Sequence, residues 1–169
     1  MTDFSERGLM VGPAKDSQQS LGRIMIVEDE GIIADHIATR LERNGYTVAG
    51  IVTSSEEALD RIPSLMPDLI LMDIRIKGDE DGIETANKVR ERFDIPIIYL
   101  TAHSDRQTID RAKSTGAFGF LTKPIHHSSL STSIEMALTK HRSDRNARQQ
   151  HVHRRLQIHH QIRLGRIAA

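Results

Sequence analysis

The sequence predicts a doubly wound α/β domain in which a five-stranded parallel sheet carries five helices on its two faces. Short apolar segments alternate with longer amphipathic ones along most of the 169-residue chain, and this alternation indicates successive strand–helix–strand units with parallel strands. The apolar segments are continuous rather than interrupted by polar residues, which is typical of strands buried on both faces. The length allows one such domain and a tail.

Two strands and two helices are predicted in the first half of the domain. The apolar run "RIMIV" predicts a strand at 23–27, and the segment 31–45 has apolar residues at helical spacing before a terminal glycine. The run "TVAGIV" predicts the second strand at 47–52. The segment 54–65 begins with serines and acidic residues, which favour the N-terminus of a helix.

The second half continues the same alternation. Strands are predicted for the runs "DLILM" at 68–72, "PIIYLT" at 96–101 and "AFGFLT" at 117–122. Helices are predicted at 82–93 and 105–116, and a fifth helix is expected from about Ser128. No proline follows Pro124, so this last helix can extend well past residue 140.

The composition excludes several classes of protein. The chain has no cysteine, which rules out disulfides and thiolate chemistry. No apolar run approaches the length of a membrane span, and the N-terminus has no signal-peptide core. The expectation is a cytoplasmic protein without a membrane partner.

Charge divides the chain near residue 139. Residues 139–169 contain eight Lys or Arg and one acidic residue, a net charge of +7, and residues 1–138 contain 15 basic and 22 acidic residues, a net charge of −7. Three segments are therefore predicted. They are a flexible N-terminal tail at 1–20, an acidic domain at 21–138, and a basic, His-rich C-terminal extension at 139–169, formed as a helical continuation or a linker.

Reactive side chains stand where the predicted strands end. Glu28 and Asp29 follow the first strand, Asp73 the third, Thr101 the fourth and Lys123 the fifth. Ligands of open α/β sheets bind beyond the carboxyl ends of the strands, so the three acids, the hydroxyl and the amine are expected to converge at one edge of the sheet.

Such a set of side chains supports phosphoryl transfer. Three neighbouring carboxylates repel one another and need a cation, and oxygen ligands suit Mg²⁺. One carboxylate, Asp73, would then attack phosphorus as a nucleophile and form an acyl phosphate. Lys123 would neutralise charge on the transferred group, and Thr101 would hydrogen-bond a phosphoryl oxygen and move with it.

Four stretches of this sequence resemble the receiver domains of two-component response regulators. They are "MIVEDEGIIA", "PDLILMDIRIKGDEDGIE", "IPIIYLTAHSD" and "GFLTKP", which occur in the family's order across residues 22–138. The resemblance implies a flavodoxin-like sheet with strand order 2-1-3-4-5.

The resemblance also implies how the acids act. Glu28 and Asp29 match the pair that holds Mg²⁺ directly or through water, and Asp73 matches the phosphorylated aspartate, which is also a metal ligand. Arg75 matches the residue whose backbone carbonyl completes the metal shell. The sequence departs from the family in having Lys77 where a proline is common. Its loop before Gly82 is also one residue longer, and Arg75 and His103 are bulkier and more basic than usual.

Four further positions carry implied roles. Thr101 matches the hydroxyl that acts as a switch, and Lys123 matches the lysine that pairs with the phosphoryl group. Phe120 falls where the family places an aromatic side chain that swings inward on activation. Pro124 matches a proline that commonly follows a cis peptide bond.

Function and partners follow from the same resemblance. A histidine kinase or a phosphotransfer protein would donate the phosphoryl group, and Mg²⁺-dependent switching would control contacts with a downstream protein. No enzyme activity is expected beyond self-phosphorylation and slow self-dephosphorylation. An aspartyl-phosphate phosphatase would need a second acid two residues after its nucleophile, and this chain has Arg75 there. A histidine kinase would need a glycine-rich nucleotide motif, which is absent.

The sequence leaves more than one role open for the segment 139–169. It is interpreted first as a solvated extension or a linker whose output domain is absent. One alternative is a DNA- or RNA-binding transcriptional regulator that acts through this basic segment, although it contains no helix-turn-helix pattern. Another is a helix that joins two copies into a homodimer, although the apolar residues sustain no heptad.

Overall fold

A computed structural model describes residues 20–102 and 106–165, with side chains described at all of these except 106 and 155–165. The strands are β1 (Arg23–Val27), β2 (Thr47–Val52), β3 (Leu69–Asp73), β4 (Ile97–Thr101) and β5 (Gly119–Thr122). The helices are α1 (Gly31–Arg43), α2 (Ser55–Leu65), α3 (Gly82–Arg92), α4 (Arg106–Ser114) and α5 (His127–Gly165). The expected tail at 1–20 lies outside the described residues except for Ser20.

The five strands form one parallel sheet in the order β2-β1-β3-β4-β5. This confirms the predicted fold class and strand order. One boundary differs in a way that affects the site: β3 was expected to end at Met72 and instead includes Asp73. Asp73 pairs with Leu100 of β4, so the ladder continues one residue beyond the apolar run.

The sheet is covered on both faces, by two separate apolar clusters. Ile26 and Leu71 face the first cluster, which α1 and α5 complete. Met72 and Tyr99 face the second cluster, which α2, α3 and α4 complete. Successive strand residues therefore point to opposite faces, and both faces are dry, which explains the continuous apolar runs. The edge strand β2 is partly exposed.

Helix α5 continues beyond the body of the domain. Leu130, Ile134 and Ala137 are buried against the sheet, and His141 is the last buried residue of the described part of the helix. Every residue from 142 to 154 is exposed. The 24 residues from 142 to Gly165 extend the helix by about 36 Å at about 1.5 Å per residue. In the part of the chain that the structure describes, no helix combines the length and apolarity that crossing a membrane requires.

Candidate functional site

Three carboxylates lie together at the carboxyl edge of the sheet. Glu28 and Asp29 directly follow β1, and Asp73 ends the neighbouring strand β3. One oxygen from each of the three residues lies within 4.8 Å of the others. Glu28 is fully buried and Asp73 is 4% exposed, so their charges are poorly solvated and a neighbouring cation stabilises them strongly.

Lys123 supplies such a cation from the end of β5. Its Nζ lies 2.7 Å from Oδ2 of Asp73 and 2.6 Å from Oε2 of Glu28. Only the contact with Asp73 has the geometry of a hydrogen bond, and Glu28 Oε2 receives none from the residues that the structure describes. The cluster therefore keeps one buried carboxylate oxygen whose hydrogen-bonding capacity is unused.

The local environment shifts the pKa of both Glu28 and Lys123 upward. Burial raises the pKa of Glu28 and the charge of Asp73 adds to this effect, while the close contact with Lys123 opposes them. Burial alone would lower the pKa of Lys123, but its contacts with Asp73 and Glu28 together outweigh burial and raise it. Lys123 is therefore held as an ammonium ion among acids.

Arg75 and Thr101 lie beside Asp73 in different ways. The backbone N–H of Arg75 donates to Oδ1 of Asp73 at 3.1 Å, while its side chain extends to the surface. Thr101 ends β4 and is 7% exposed, and its backbone carbonyl accepts a hydrogen bond from the Lys123 N–H at 2.8 Å. Asp73, Arg75, Thr101 and Lys123 all line a cleft of about 580 Å³.

The structure also brings residues into this cleft that the sequence did not single out. Arg111 of α4 donates to Oδ2 of Asp81 at 2.8 Å, and both residues line the cleft. Asp81 caps α3 through a capping box with Glu84. The D-x-x-E spacing of that box was a usable signal for Asp81, but no local pattern indicates its pairing with Arg111.

Gly82 allows α3 to begin directly against the backbone of Asp73. A Cβ added at this position would lie 1.9 Å from the carbonyl oxygen of Asp73, and the Gly82 N–H donates to the Ile74 carbonyl at 2.9 Å. Only a residue without a side chain fits here. The glycine therefore fixes the distance between the start of α3 and the end of β3.

Phe120 and Pro124 flank the site on the β5 side. The half-buried ring of Phe120 lies 5.7 Å from the ring of Tyr99, so an inward movement would change this packing. The peptide bond between Lys123 and Pro124 is cis, the geometry that the resemblance implies. His103, a position at which the sequence departs from the family, lies outside the described residues.

The donor set fits Mg²⁺. All the candidate ligands are hard oxygen atoms, and two of the three carboxylates are almost fully buried. Glu28 Oε2, which accepts no hydrogen bond from the described residues, lies against the Lys123 ammonium, and this contact reflects the same demand for positive charge. Softer metals prefer nitrogen or sulfur ligands, and none of the residues in this described cluster supplies either.

Comparison with known proteins identifies the same family that the four sequence stretches resemble. The profile of the family "Response regulator receiver domain" matches residues 24–135. The transcriptional regulatory protein PdtaR of Mycobacterium tuberculosis is 34% identical over 134 residues, which is 79% of this chain and 65% of that protein. The match thus spans slightly less than two thirds of the relative.

Solved structures show the same likeness. The signal receiver domain of a modulated diguanylate cyclase from Desulfovibrio desulfuricans is 39% identical with a TM-score of 0.71, and the match covers 74% of this chain and 99% of that one. A CheY-like response regulator receiver domain protein from Methanospirillum hungatei is 28% identical with a TM-score of 0.66, over 74% and 99% of the two chains.

Proposed function

The chain belongs to the response regulator receiver domain family, and from this we propose that it is a signalling switch that accepts a phosphoryl group on Asp73. The donor would be a histidine kinase or a phosphotransfer protein. The observation that carries the proposal is the contact of Asp73 with Lys123 inside a buried acidic cluster. A carboxylate held in this way is oriented and has a cation beside it.

The reaction is an in-line displacement at phosphorus. A carboxylate oxygen of Asp73 forms the new O–P bond while the bond between phosphorus and the donor breaks, and its electron pair leaves with the donor. Lys123 neutralises charge on the phosphoryl oxygens, and the Arg75 N–H holds the second carboxylate oxygen at 3.1 Å. Mg²⁺ held by Glu28, Asp29, Asp73 and the Arg75 carbonyl would supply the remaining positive charge.

Phosphorylation would be transmitted through Thr101 and Phe120. The Thr101 hydroxyl, at the end of β4, would turn to a phosphoryl oxygen, and Phe120 would fill the space that becomes free. Both residues lie on neighbouring strands that pair directly, Thr101 with Thr122 and Tyr99 with Phe120. The resulting change would alter the surface around α4 and β5 and so control contacts with a downstream protein.

The proposal includes slow self-dephosphorylation and no other turnover. Position 75 carries an arginine where a phosphatase would need a second acid to activate water, and Lys123 is committed to the carboxylates. We further propose a cytoplasmic location, a receiver domain at 21–138 and a functionally separate extension at 139–169.

Intact-protein mass spectrometry after incubation with acetyl phosphate and Mg²⁺ tests the proposal. We expect wild-type protein to gain the mass of one phosphoryl group, and Asp73→Asn, which keeps the shape and removes the attacking charge, to gain none. Asp60→Asn is the matched control, because Asp60 is an exposed carboxyl on α2. Phosphorylation of Asp73→Asn at any residue would refute the assignment.

A further inference from the structure

The part of α5 that follows His141 is strongly cationic. We define the cationic extension as residues 142–165, from the first exposed residue after His141 to the end of the helix. It contains six arginines and one acid, Asp144, and no acidic residue follows Asp144 in the chain. The arginines are Arg142, Arg145, Arg148, Arg154, Arg155 and Arg163.

Asp144 is the one acidic residue among the six arginines of the extension, so most of these charges are not balanced within it. Like charges three or four residues apart destabilise a helix, and beyond Asp144 no carboxylate is available to form the usual compensating pairs. Residues 142–154, whose side chains the structure describes, have one large exposed apolar side chain, Val152, so this part gains little from burying an apolar face. The exposed residues 142–154 therefore present a positive surface that attracts anions.

A carboxylate of the domain itself, that of Asp94, contacts the first residues of the extension. Asp94, in the loop after α3, lies 3.0 Å from Nε2 of His141, 3.2 Å from a terminal nitrogen of Arg148 and 3.8 Å from Nε of Arg145. His141 is buried and packs edge-on against Phe118. The hydrogen bond from His141, together with the charge of Arg148, lowers the pKa of Asp94.

This arrangement shows that two arginines of the extension can converge on one small anion. The Asp94 side chain is 56% exposed, and those of Arg145 and Arg148 are 52% and 62% exposed. Ion pairs with this exposure are weak, about 0–1 kcal/mol. A stronger multivalent anion can therefore displace Asp94 from Arg145 and Arg148, while the buried His141 keeps the helix anchored.

We propose that the cationic extension binds the sugar–phosphate backbone of a nucleic acid, and that Asp94 competes with its phosphates for Arg145 and Arg148. A polyanion suits a projecting helix that carries several arginines, and backbone binding needs no apolar contact. A helix of about 36 Å is also long enough to cross a groove or follow a single strand. This inference does not depend on phosphorylation of Asp73.

A second copy of the chain fits the surface less well. Val152 is the only large exposed apolar side chain on the described part of the extension, whereas protein interfaces have an apolar core from which charged residues are depleted. The acidic body of another copy could attract the extension, but it offers no repeated anion spacing. We therefore treat self-association as an outcome that the experiment must distinguish.

The test is fluorescence anisotropy with a labelled generic DNA duplex and a labelled single-stranded RNA, between about 50 and about 200 mM salt. We expect wild-type protein to bind at least one of them with an affinity that falls steeply as salt rises. Arg154→Gln should lower the salt slope by about one unit for the duplex or slightly less for a single strand. Arg61→Gln is the matched control, since it removes the same charge from α2 on the opposite face of the sheet.

The sharpest variant is Asp94→Asn. Asparagine keeps an oxygen that can accept from His141 but removes the charge that holds Arg145 and Arg148, so we expect binding at least a few-fold tighter and a steeper salt slope. Circular dichroism checks that helix content is unchanged. A preference for duplex or RNA identifies the natural source of the phosphates.

Three results would overturn the inference. They are no binding of either nucleic acid at about 50 mM salt, the same salt slope in Arg154→Gln as in wild type, and weaker binding by Asp94→Asn with intact helix content. Sedimentation velocity that shows extension-dependent dimers, together with no nucleic-acid binding, would assign the surface to a second copy instead. None of these results affects phosphorylation of Asp73, which mass spectrometry measures separately.

Discussion

Lys123 Nζ lies 2.7 Å from Oδ2 of Asp73, although fifty residues separate the two in the chain. The same nitrogen contacts Glu28 at 2.6 Å. An internal cation thus occupies the acidic cluster and shares its carboxylate oxygens with any metal ion that binds there. Lys123 and Mg²⁺ would therefore both neutralise the negative charge of the cluster, and they would compete for the same carboxylate oxygens.

The first prediction follows from this competition. Lys123→Met keeps the length of the side chain and removes its charge, so the acidic cluster becomes more negative and we expect Mg²⁺ to bind on the order of tenfold more tightly, or about 1.4 kcal/mol. Without Mg²⁺ the variant should be less stable by about 3 kcal/mol, because two buried carboxylates lose their counter-ion. Titration calorimetry and urea unfolding measure the two effects. Weaker Mg²⁺ binding would show that Lys123 does not compete with the ion.

A second prediction separates metal binding from folding. Asp29→Ala removes one of the three carboxylates, so Mg²⁺ binding and phosphorylation should both be lost, while stability should not fall because like-charge repulsion decreases. Asp35→Ala, an exposed acid on α1, should leave both activities unchanged. Phosphorylation of Asp29→Ala at the wild-type rate would show that the metal site is assigned to the wrong residues.

Gly82→Ala provides a third prediction. The added Cβ would lie 1.9 Å from the carbonyl oxygen of Asp73, so either α3 or the end of β3 must move, and we expect a loss of about 3 kcal/mol together with slower phosphorylation. Gly31→Ala is the matched control, because Gly31 also begins a helix and an added Cβ there meets nothing within 4 Å. That variant should be as stable as wild type or slightly more stable. Equal stability of the two variants would contradict the packing argument.

The fold and the members of the candidate site could be predicted from the sequence because both depend on local patterns. Continuous apolar runs identified the strands, and in a parallel sheet all strand ends with the same polarity lie at one edge. Glu28, Asp73, Thr101 and Lys123 therefore had to converge, whatever the details of packing. The end of β3 was misplaced by one residue because pairing with Leu100, rather than apolarity, extends the strand through Asp73.

Other contacts could not be predicted because no local pattern encodes them. Arg111 contacts Asp81, which lies thirty residues earlier in the chain, only because α4 packs beside the start of α3. The bond between His141 and Asp94 likewise joins residues 47 apart, and it depends on the direction in which α5 leaves the sheet. Helical spacing predicts that α5 exists, but its contacts beyond residue 138 come from tertiary packing.

The lifetime of the phosphorylated form is the subject of the fourth prediction. Water must approach the phosphorus opposite the Asp73 oxygen, and Arg75 lines the cleft with a long side chain that can cover the phosphoryl group and hydrogen-bond its oxygens. We expect Arg75→Ala to lose phosphate several-fold faster than wild type. Lys77→Ala is the control, since Lys77 is an exposed basic residue of the same loop.

Radiolabel loss over time measures the rate for each of these variants. An unchanged or slower rate in Arg75→Ala would refute shielding by this side chain. His103 needs a separate His103→Ala measurement, because an imidazole that orients water as a base would speed the loss of phosphate. The two effects have opposite signs and can therefore be distinguished.

The fifth prediction concerns stability at alkaline pH. Tyr99 is fully buried, and its hydroxyl bonds to Oγ1 of Thr115 at 3.0 Å. Thr115 Oγ1 itself donates to the Ala112 carbonyl, so the tyrosine is the donor in this pair. Burial raises the pKa of Tyr99 to about 12, from 10.0 for an unperturbed tyrosine.

The sign of the effect follows from proton linkage. Above pH 10 the phenol of Tyr99 loses its proton in the unfolded chain but keeps it in the folded chain. The stability that the protonated phenol contributes is therefore fully present below pH 10, and it is lost as the pH rises to about 12. A difference of about two pKa units corresponds to roughly 2.7 kcal/mol of stability.

Tyr99→Phe should lower the free energy of unfolding by about 1 kcal/mol at neutral pH, because one hydrogen bond is lost. Above pH 10 the stability of this variant should decline less steeply than that of wild type. Lys123, whose pKa is also raised, contributes to the decline in both proteins, so the difference between the urea-unfolding free energies isolates the phenol. Parallel curves for the two proteins between pH 9 and 12 would show that the Tyr99 hydroxyl ionises equally in the folded and unfolded chains.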